Sequence, residues 1–402
     1  MLKNTRICFV FCFSLLPLLL TAQSAQISSM QQKAGLWLLS RQNQDGSWLG
    51  ETAQPAFTAL ACMGLYDSPL YQSEEGKANI NLALDYIVAA AKPDGGIYGA
   101  SSQAAADTDK GKALSKRGGR GGRGGGPGGG GAMYAVYNSS ICLAALAKFN
   151  RPQDLELCKK TRAYLLATQT GDNDAASAGG MSYGGSKKMR ADLSNTAWTL
   201  EALYVTEHLD KEPHNSDPAQ AAKAGLAWKK ALEFITICQN LADTNSSAWV
   251  RSAPEQDRGG FIYCPEDALK EGASEALRSY GSMTYAGLKS LIYAKVDKDD
   301  IRIQSAFDWL KKYYSIEENP GAGAAGYYYY LHLLAKTLTL MGEETLLDDK
   351  GGSRAWKSEL LAKLAETQNE DGSWMNEKSG RWMESIPELS SAYVLMTLGM
   401  LK

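Results

Sequence analysis

Apolar residues recur along this chain with a helical period, in stretches that come in pairs. The first member of each pair is bulky and amphipathic: Gln32 to Arg41, Ile80 to Ala91, Cys158 to Thr168, Trp228 to Gln239, Ile301 to Tyr314 and Trp356 to Thr367. The second member is apolar on most faces and rich in small residues such as Ala59, Ala61, Ala144, Ala145, Ala197, Ala202 and Ala286. In five of these second helices a hydroxyl residue stands seven positions before a leucine: Thr58 and Leu65, Ser139 and Leu146, Thr196 and Leu203, Thr284 and Leu291, Ser391 and Leu398. The remaining one departs from this grammar, with Leu331 and Leu338 at those positions and His332 beside the first. Seven residues make about two helical turns, so both positions lie on one stripe.

The loop inside each pair also repeats. Gln42-Asn43-Gln44-Asp45-Gly46-Ser47-Trp48 returns near the other end as Gln368-Asn369-Glu370-Asp371-Gly372-Ser373-Trp374. Weaker copies are Asp94 to Tyr98, Gly179 to Tyr183, Gly259 to Tyr263 and the Gly321 to Tyr330 stretch. Glycine permits the turn, the glutamine amide can reach unpaired backbone groups, and tryptophan seals the loop by burying a large ring. A local repeat at this period is the mark of a repeat architecture. Small-residue helices belong inside and amphipathic ones outside, which predicts an all-α, single (α/α)6 toroid of six helix-pair repeats.

Composition agrees with a folded chain: 402 residues, 44% hydrophobic and 21% charged. A net charge of −2 gives no general electrostatic case for nucleic acid. With three histidines, His208, His214 and His332, no His-rich metal centre is expected, and no cofactor motif stands out. Lys3 and Arg6 before the apolar stretch Ile7 to Leu20, then Ala22-Gln23-Ser24, read as an export signal over residues 1–24. The toroid is then expected over 25–402, in a periplasmic or extracellular protein without an integral membrane span in the mature chain. Cys8 and Cys12 fall in the leader, and the other cysteines are odd in number, so no full disulfide framework follows. The stretch Arg117 to Gly131, within a Gly-rich insertion at about 107–132, cannot bury apolar surface and reads as a solvated loop.

The Gln-x3-Gly-x-Trp phrases at Gln42, Gly46, Trp48 and at Gln368, Gly372, Trp374 resemble the repeat motif of squalene-hopene cyclases, in the terpenoid cyclase and protein prenyltransferase superfamily. Phrases such as Tyr280 to Leu288 are similar to exported bacterial members known only by prenyltransferase and squalene-oxidase repeats. The resemblance implies a toroid with a central cavity for an isoprenoid or other hydrophobic ligand. It does not carry the family's chemistry over intact. The cyclases protonate an alkene with Asp-x-Asp-Asp-Thr-Ala; the nearest phrase here is Asp192-Leu193-Ser194-Asn195-Thr196-Ala197, with Ser194 at the central aspartate. The length is also about half that of a two-domain cyclase. The prenyltransferase zinc ligands Asp and Cys fall on Ser282 and Thr284, and the histidine falls on Tyr330.

Asp192, His332 and Glu384 are the proton-handling candidates, each with a plain alternative: helix capping, a core histidine, an ion pair with Arg381. Tyr285, Tyr327, Tyr330, Arg381 and Trp382 are the ligand-binding candidates, aromatic walls or an anion contact. The leading expectation is a toroid that binds a hydrophobic small molecule, with cyclase-like or transferase-like chemistry as an extension of it. A protein-binding or envelope scaffold module and a carbohydrate-active toroid are the alternatives.

Overall fold

The hydroxyl residues singled out above have a common job. Five of them accept a hydrogen bond from the backbone N–H of the residue that ends the loop: Trp48 to Thr58, Ile97 to Ser139, Met181 to Thr196, Phe261 to Thr284 and Trp374 to Ser391, at 2.8–3.1 Å. All five acceptors are buried, so each bond satisfies a donor that would otherwise cost about 1–3 kcal/mol. The computed structural model that shows this describes residues 8–49, 54–99, 131–171, 176–184, 189–270, 272, 274 and 277–402.

Apart from one-turn segments, the helices alternate between outer and inner layers. The outer ones are α1 (Cys8–Leu39), α3 (Glu74–Ala89), α5 (Leu155–Thr168), α7 (Pro218–Ile237), α9 (Ile301–Lys312) and α11 (Trp356–Glu366). The inner ones are α2 (Pro55–Tyr66), α4 (Ala135–Phe149), α6 (Leu193–Val205), α8 (Gly281–Tyr293), α10 (Tyr327–Met341) and α12 (Pro387–Met400). Each inner helix packs on the next, and α12 packs on α2, so the inner layer returns on itself. The chain is an all-α toroid. The only sheet among the described residues is a two-residue antiparallel pair, Leu346–Leu347 with Ser353–Arg354.

Several outer helices start earlier than their apolar pattern suggests. Ser73 caps α3 by accepting from Gly76 N–H, and Asp217 caps α7 by accepting from Ala219 N–H. The first turns that follow carry Glu74 and Glu75, or Pro218, which favour a helix start but bear no apolar period. Likewise α1 runs from Cys8, continuous past residue 24, and not from Gln32.

The glutamines act as clamps between layers. Gln42, Gln169, Gln239 and Gln368 each donate from Nε2 to the carbonyl of the loop glycine and to a carbonyl on the next outer helix. Beside them Gly46 (φ +87°), Gly259 (φ +88°) and Gly372 (φ +100°) press against the backbone of Leu82, Ser305 and Lys33. A side chain at these sites would meet that backbone as well as a disfavoured dihedral. The last clamp spans the ends of the ring: Gln368 reaches Met30 O, and Gly372 rests on Lys33, both in α1. Trp48 and Trp374 are fully buried and donate Nε1–H to Leu38 O and Leu364 O.

The Gly-rich insertion lies outside the described residues as far as residue 130. Among the described residues no helix is long and apolar enough to cross a membrane, and no group of three metal-ligating side chains is assembled. Cys62, Cys142, Cys158, Cys238 and Cys264 are buried free thiols.

Candidate functional site

The hydroxyl anchors fix the rotation of five of the six inner helices, and with it the stripe that faces the axis. That stripe is found two positions before, two after and five after the anchor. On α6 it carries Ser194, Trp198 and Glu201; on α10, counted from Leu331, Tyr329, Leu333 and Lys336. Helices α6 and α10 are not neighbours, since α8 stands between them. Their side chains nevertheless meet at three levels. Ser194 Oγ lies 3.3 Å from Tyr329 Oη, Trp198 stacks on Tyr329 and His332, and Lys336 Nζ is 3.1 Å from Glu201 Oε1.

The lowest level is ionic. Glu201 Oε2 accepts from Lys289 Nζ at 2.5 Å, and both groups are buried. Burial pushes the Glu201 carboxyl up, but Lys289 and Lys336 more than reverse this and hold it below the usual range. Burial lowers the Lys289 ammonium, partly offset by Glu201. The ammonium also lies 5.3 Å from the Trp198 ring centroid. This cluster closes the axis from below. Above it, His332 is buried between Trp198 and Tyr393, with no partner for Nδ1. Burial lowers its pKa to about 3, so it is a neutral imidazole near pH 7.

The upper level is an aromatic cluster, here called the chamber. Tyr137, Tyr183, Tyr263, Tyr280 and Tyr329 converge there, each half-buried. Burial raises every one of these phenols, Tyr137 to about 12, although each keeps some contact with solvent. The loops place them there: Tyr183 O accepts from Val136 N–H at the start of α4, and Tyr263 O accepts from Leu193 N–H at the start of α6. Each Gly-Gly-x-x-Tyr phrase therefore folds its tyrosine over the N-terminus of the preceding inner helix.

Asp192 is 2% exposed and caps α6, its Oδ1 accepting from Asn195 N–H at 2.9 Å and its Oδ2 from Asn195 Nδ2 at 2.7 Å. Burial raises its pKa to about 6 against those hydrogen bonds. Glu384 caps α10 from outside the helix. Its Oε1 accepts from Tyr329 N–H and its Oε2 from Asn376 Nδ2, both at 2.8 Å. Burial raises it to about 7. No ion pair joins it to Arg381, which is exposed and lies 4.8 Å from the Trp382 ring centroid. Trp382 (φ +57°) and Met383 (φ +65°) are both left-handed, and the Trp382 ring, 42% exposed, stacks on Tyr280 at the chamber's lip.

Tyr285, Tyr327 and Tyr330 stand elsewhere. Tyr330 donates to Ser315 O, and Tyr327 to Ile316 O, in the segment after α9. Tyr285 packs on Tyr330 in the seam between α8 and α10. A helix turns about 100° per residue, and these positions are off the axial stripe. Tyr329 is the member of its run that faces the chamber. Tyr137, Tyr183, Tyr263, Trp198 and Tyr393 carry most of the remaining wall; counting from the hydroxyl anchors is the signal that finds those on inner helices.

No family model matches the chain, and no curated protein sequence matches it. Among solved structures it is similar to a variant of the type II terpene cyclase MstE from Scytonema, in complex with its substrate geranylgeranyl dihydroxybenzoate. That likeness has 14% identity and a TM-score of 0.51, and covers 95% of this chain and 99% of the cyclase chain. A protein from Actinoplanes aligns with 11% identity and a TM-score of 0.46, covering 93% of this chain and 99% of its own. The fold is thus that of a terpene cyclase-like toroid. In length, too, this chain matches that neighbour, whose chain it covers almost completely.

Proposed function

We propose that this protein is an exported toroid that binds an isoprenoid or similarly long apolar molecule in the chamber above Trp198 and His332. The supporting observation is the convergence of five half-buried tyrosines over a floor sealed by Trp198, His332 and Tyr393. Aromatic faces offer large apolar contact and attract positive charge, which suits alkenes and any cation formed from them. The terpene cyclase neighbour, whose bound substrate carries a geranylgeranyl chain, supports the same class of ligand.

Asp192, buried at the N-terminus of α6, is the carboxyl we assign to proton exchange with such a ligand. With serine in place of the cyclase acid, protonation of an isolated alkene has no strong donor at Ser194. Binding therefore leads the reading, and terpenoid cyclase-like or transferase-like activity is its extension. A glycosidase reading asks for two carboxyls facing one space. Asp192 and Glu384 are instead each engaged at a helix N-terminus.

The test is extraction of lipid from protein purified out of its native host, followed by mass spectrometry, with N-terminal sequencing of the same sample. A bound isoprenoid-type molecule and a mature terminus near residue 25 are expected. An empty protein whose intrinsic fluorescence is unmoved by added geranylgeraniol overturns the ligand; an intact leader overturns export by cleavage.

A further inference from the structure

We propose a second binding site, independent of the axial chamber: a cationic cleft between the end of α9 and the two-residue strand pair, which takes a phosphate monoester. The cleft has a volume of about 210 Å³. Lys311, Lys312 and Tyr314 line it from α9 and the turn after it, and Asp348, Asp349, Lys350 and Arg354 line it from the hairpin. Pockets for drug-sized ligands hold roughly 300–1,000 Å³, so the occupant here is a small ion or the head of a larger molecule.

The hairpin holds its charges in place. Leu346 and Trp356 are fully buried at its two ends, and Trp356 donates Nε1–H to Glu343 O at 2.7 Å. Leu346 pairs with Arg354, and Leu347 with Ser353. At the tip, Asp348 N–H donates to Gly352 O at 2.8 Å, and Gly351 (φ +77°) makes the turn. The Asp348 side chain closes the same turn, its Oδ1 accepting from Lys350 N–H at 3.0 Å and Gly352 N–H at 2.7 Å. That carboxylate is therefore engaged by the backbone, with its Oδ2 3.5 Å from Arg354 Nε.

Four cations against two carboxylates leave an excess of two positive charges in this small space. Like charges gathered at such range repel one another, and a bound anion relieves this. Part of the charge has a structural use: Lys311 is paired with Asp308 at 2.6 Å, and both α9 lysines suit the carbonyl end of their helix. The hairpin cations have no such use. Lys350 Nζ has no carboxylate partner among the described residues, and the Arg354 guanidinium lies 5.9 Å from the Tyr314 ring centroid. Tyr314 donates its proton to Glu359 Oε2 at 3.1 Å, so it gives Arg354 an aromatic face and offers an anion no donor.

The donors select the ligand. A guanidinium fork fits two oxygens of a carboxylate or a phosphate, and lysines add point charges. A carboxylate has one charge and two oxygens, which Arg354 alone would satisfy. A phosphate monoester carries about −1.5 to −2 charge at pH 7 and three free oxygens. It matches the excess charge and leaves an oxygen for Lys350 and for Lys312, whose ammonium otherwise meets only the Tyr313 ring at 5.2 Å.

The experiment is calorimetric titration of the full-length protein with inorganic phosphate, against chloride at equal ionic strength. Sedimentation with phosphatidic acid vesicles and with phosphatidylcholine vesicles distinguishes a lipid head from a soluble ester. Wild type, Arg354→Gln, Lys350→Gln and Asp349→Asn are compared, with melting curves confirming that each folds. Wild type is expected to bind phosphate with a Kd of about 1 mM or tighter. Arg354→Gln should weaken binding about tenfold or more and Lys350→Gln several-fold, whereas Asp349→Asn should tighten it. Lys77→Gln, on α3 and paired with Glu74, should change nothing. Pelleting with phosphatidic acid vesicles that Arg354→Gln abolishes assigns the site to a lipid head; phosphate binding without pelleting assigns it to a soluble ester. No binding at about 10 mM phosphate, or binding that Arg354→Gln and Lys350→Gln leave unchanged, overturns the site. Equal weakening by Lys77→Gln overturns it too, by showing a diffuse effect of surface charge. The reading of the axial chamber is untouched by any of these results.

Discussion

The carboxylate of Glu384 sits on the first turn of α10, with its Oε1 2.8 Å from the Tyr329 N–H, so one residue both caps a helix and fixes a chamber tyrosine. Burial nevertheless raises its pKa to about 7, above the unfolded value near 4.5. A raised carboxyl binds its proton more tightly in the folded state. Stability attached to this group is therefore complete at low pH and is lost as pH rises through 4.5 to 7. Denaturant titrations at pH 5 and pH 8 should show Glu384→Gln losing less stability than wild type over that interval, by up to about 3 kcal/mol. Glu384→Ala, which strands Tyr329 N–H and Asn376, should cost about 1–3 kcal/mol at either pH.

His332 behaves in the opposite sense. Its pKa falls to about 3 in the folded protein, against about 6.5 unfolded. The unfolded chain binds the proton first, so stability rises with pH between these values and is lost on acidification below 6.5. Relative to His332→Phe, wild type should lose about 2 kcal/mol between pH 7.5 and pH 5, measured by urea unfolding. A difference that stays constant with pH would show that the imidazole is not the acid-sensitive group.

Beneath the chamber, the two partners of the buried pair are not equivalent. Glu201 serves both Lys289 and Lys336, whereas Lys289 serves Glu201 alone. Glu201→Gln leaves a buried ammonium without an anion and should cost about 3–5 kcal/mol. Lys289→Met leaves Glu201 paired with Lys336, and should cost clearly less in the same unfolding measurement.

At the loop that meets α1, Gly372 has φ +100°, and a Cβ there would stand 2.9 Å from Lys33 O. Gly372→Ala should lower stability by about 1–3 kcal/mol through backbone strain. Gly171→Ala, where a Cβ would meet nothing within 4 Å, should be near neutral. Thermal melts of the two variants side by side provide the check.

Much of this molecule can be read from its sequence because two signals reinforce each other: a helical apolar period, and a loop phrase in register with it. The hydroxyl residues were legible as a pattern but not as anchors, since a spacing of seven says which face they share and not what lies opposite. The site was harder. Four consecutive tyrosines carry no signal of which one turns inward; the rotation of α10 brings Tyr329 to Trp198 and Ser194, and Tyr327 and Tyr330 to the segment after α9. Asp192 was visible as a helix cap; the bond from Leu193 N–H, next to it, to Tyr263 O crosses from one helix pair to a later loop and has no local signature. Glu384 could be found, but its partner could not, because it bonds to a backbone N–H on another helix rather than to the neighbouring Arg381.

The clasp of Gln368 and Gly372 upon Met30 and Lys33 has a consequence for biogenesis. Open solenoids tolerate the loss of terminal repeats because each unit leans only on its neighbours. Here α1 waits for a loop made more than three hundred residues later, so a nascent or truncated polypeptide is an arc with two raw apolar flanks. Such an arc is prey to proteases and to sticking until the whole chain is made and both flanks are covered.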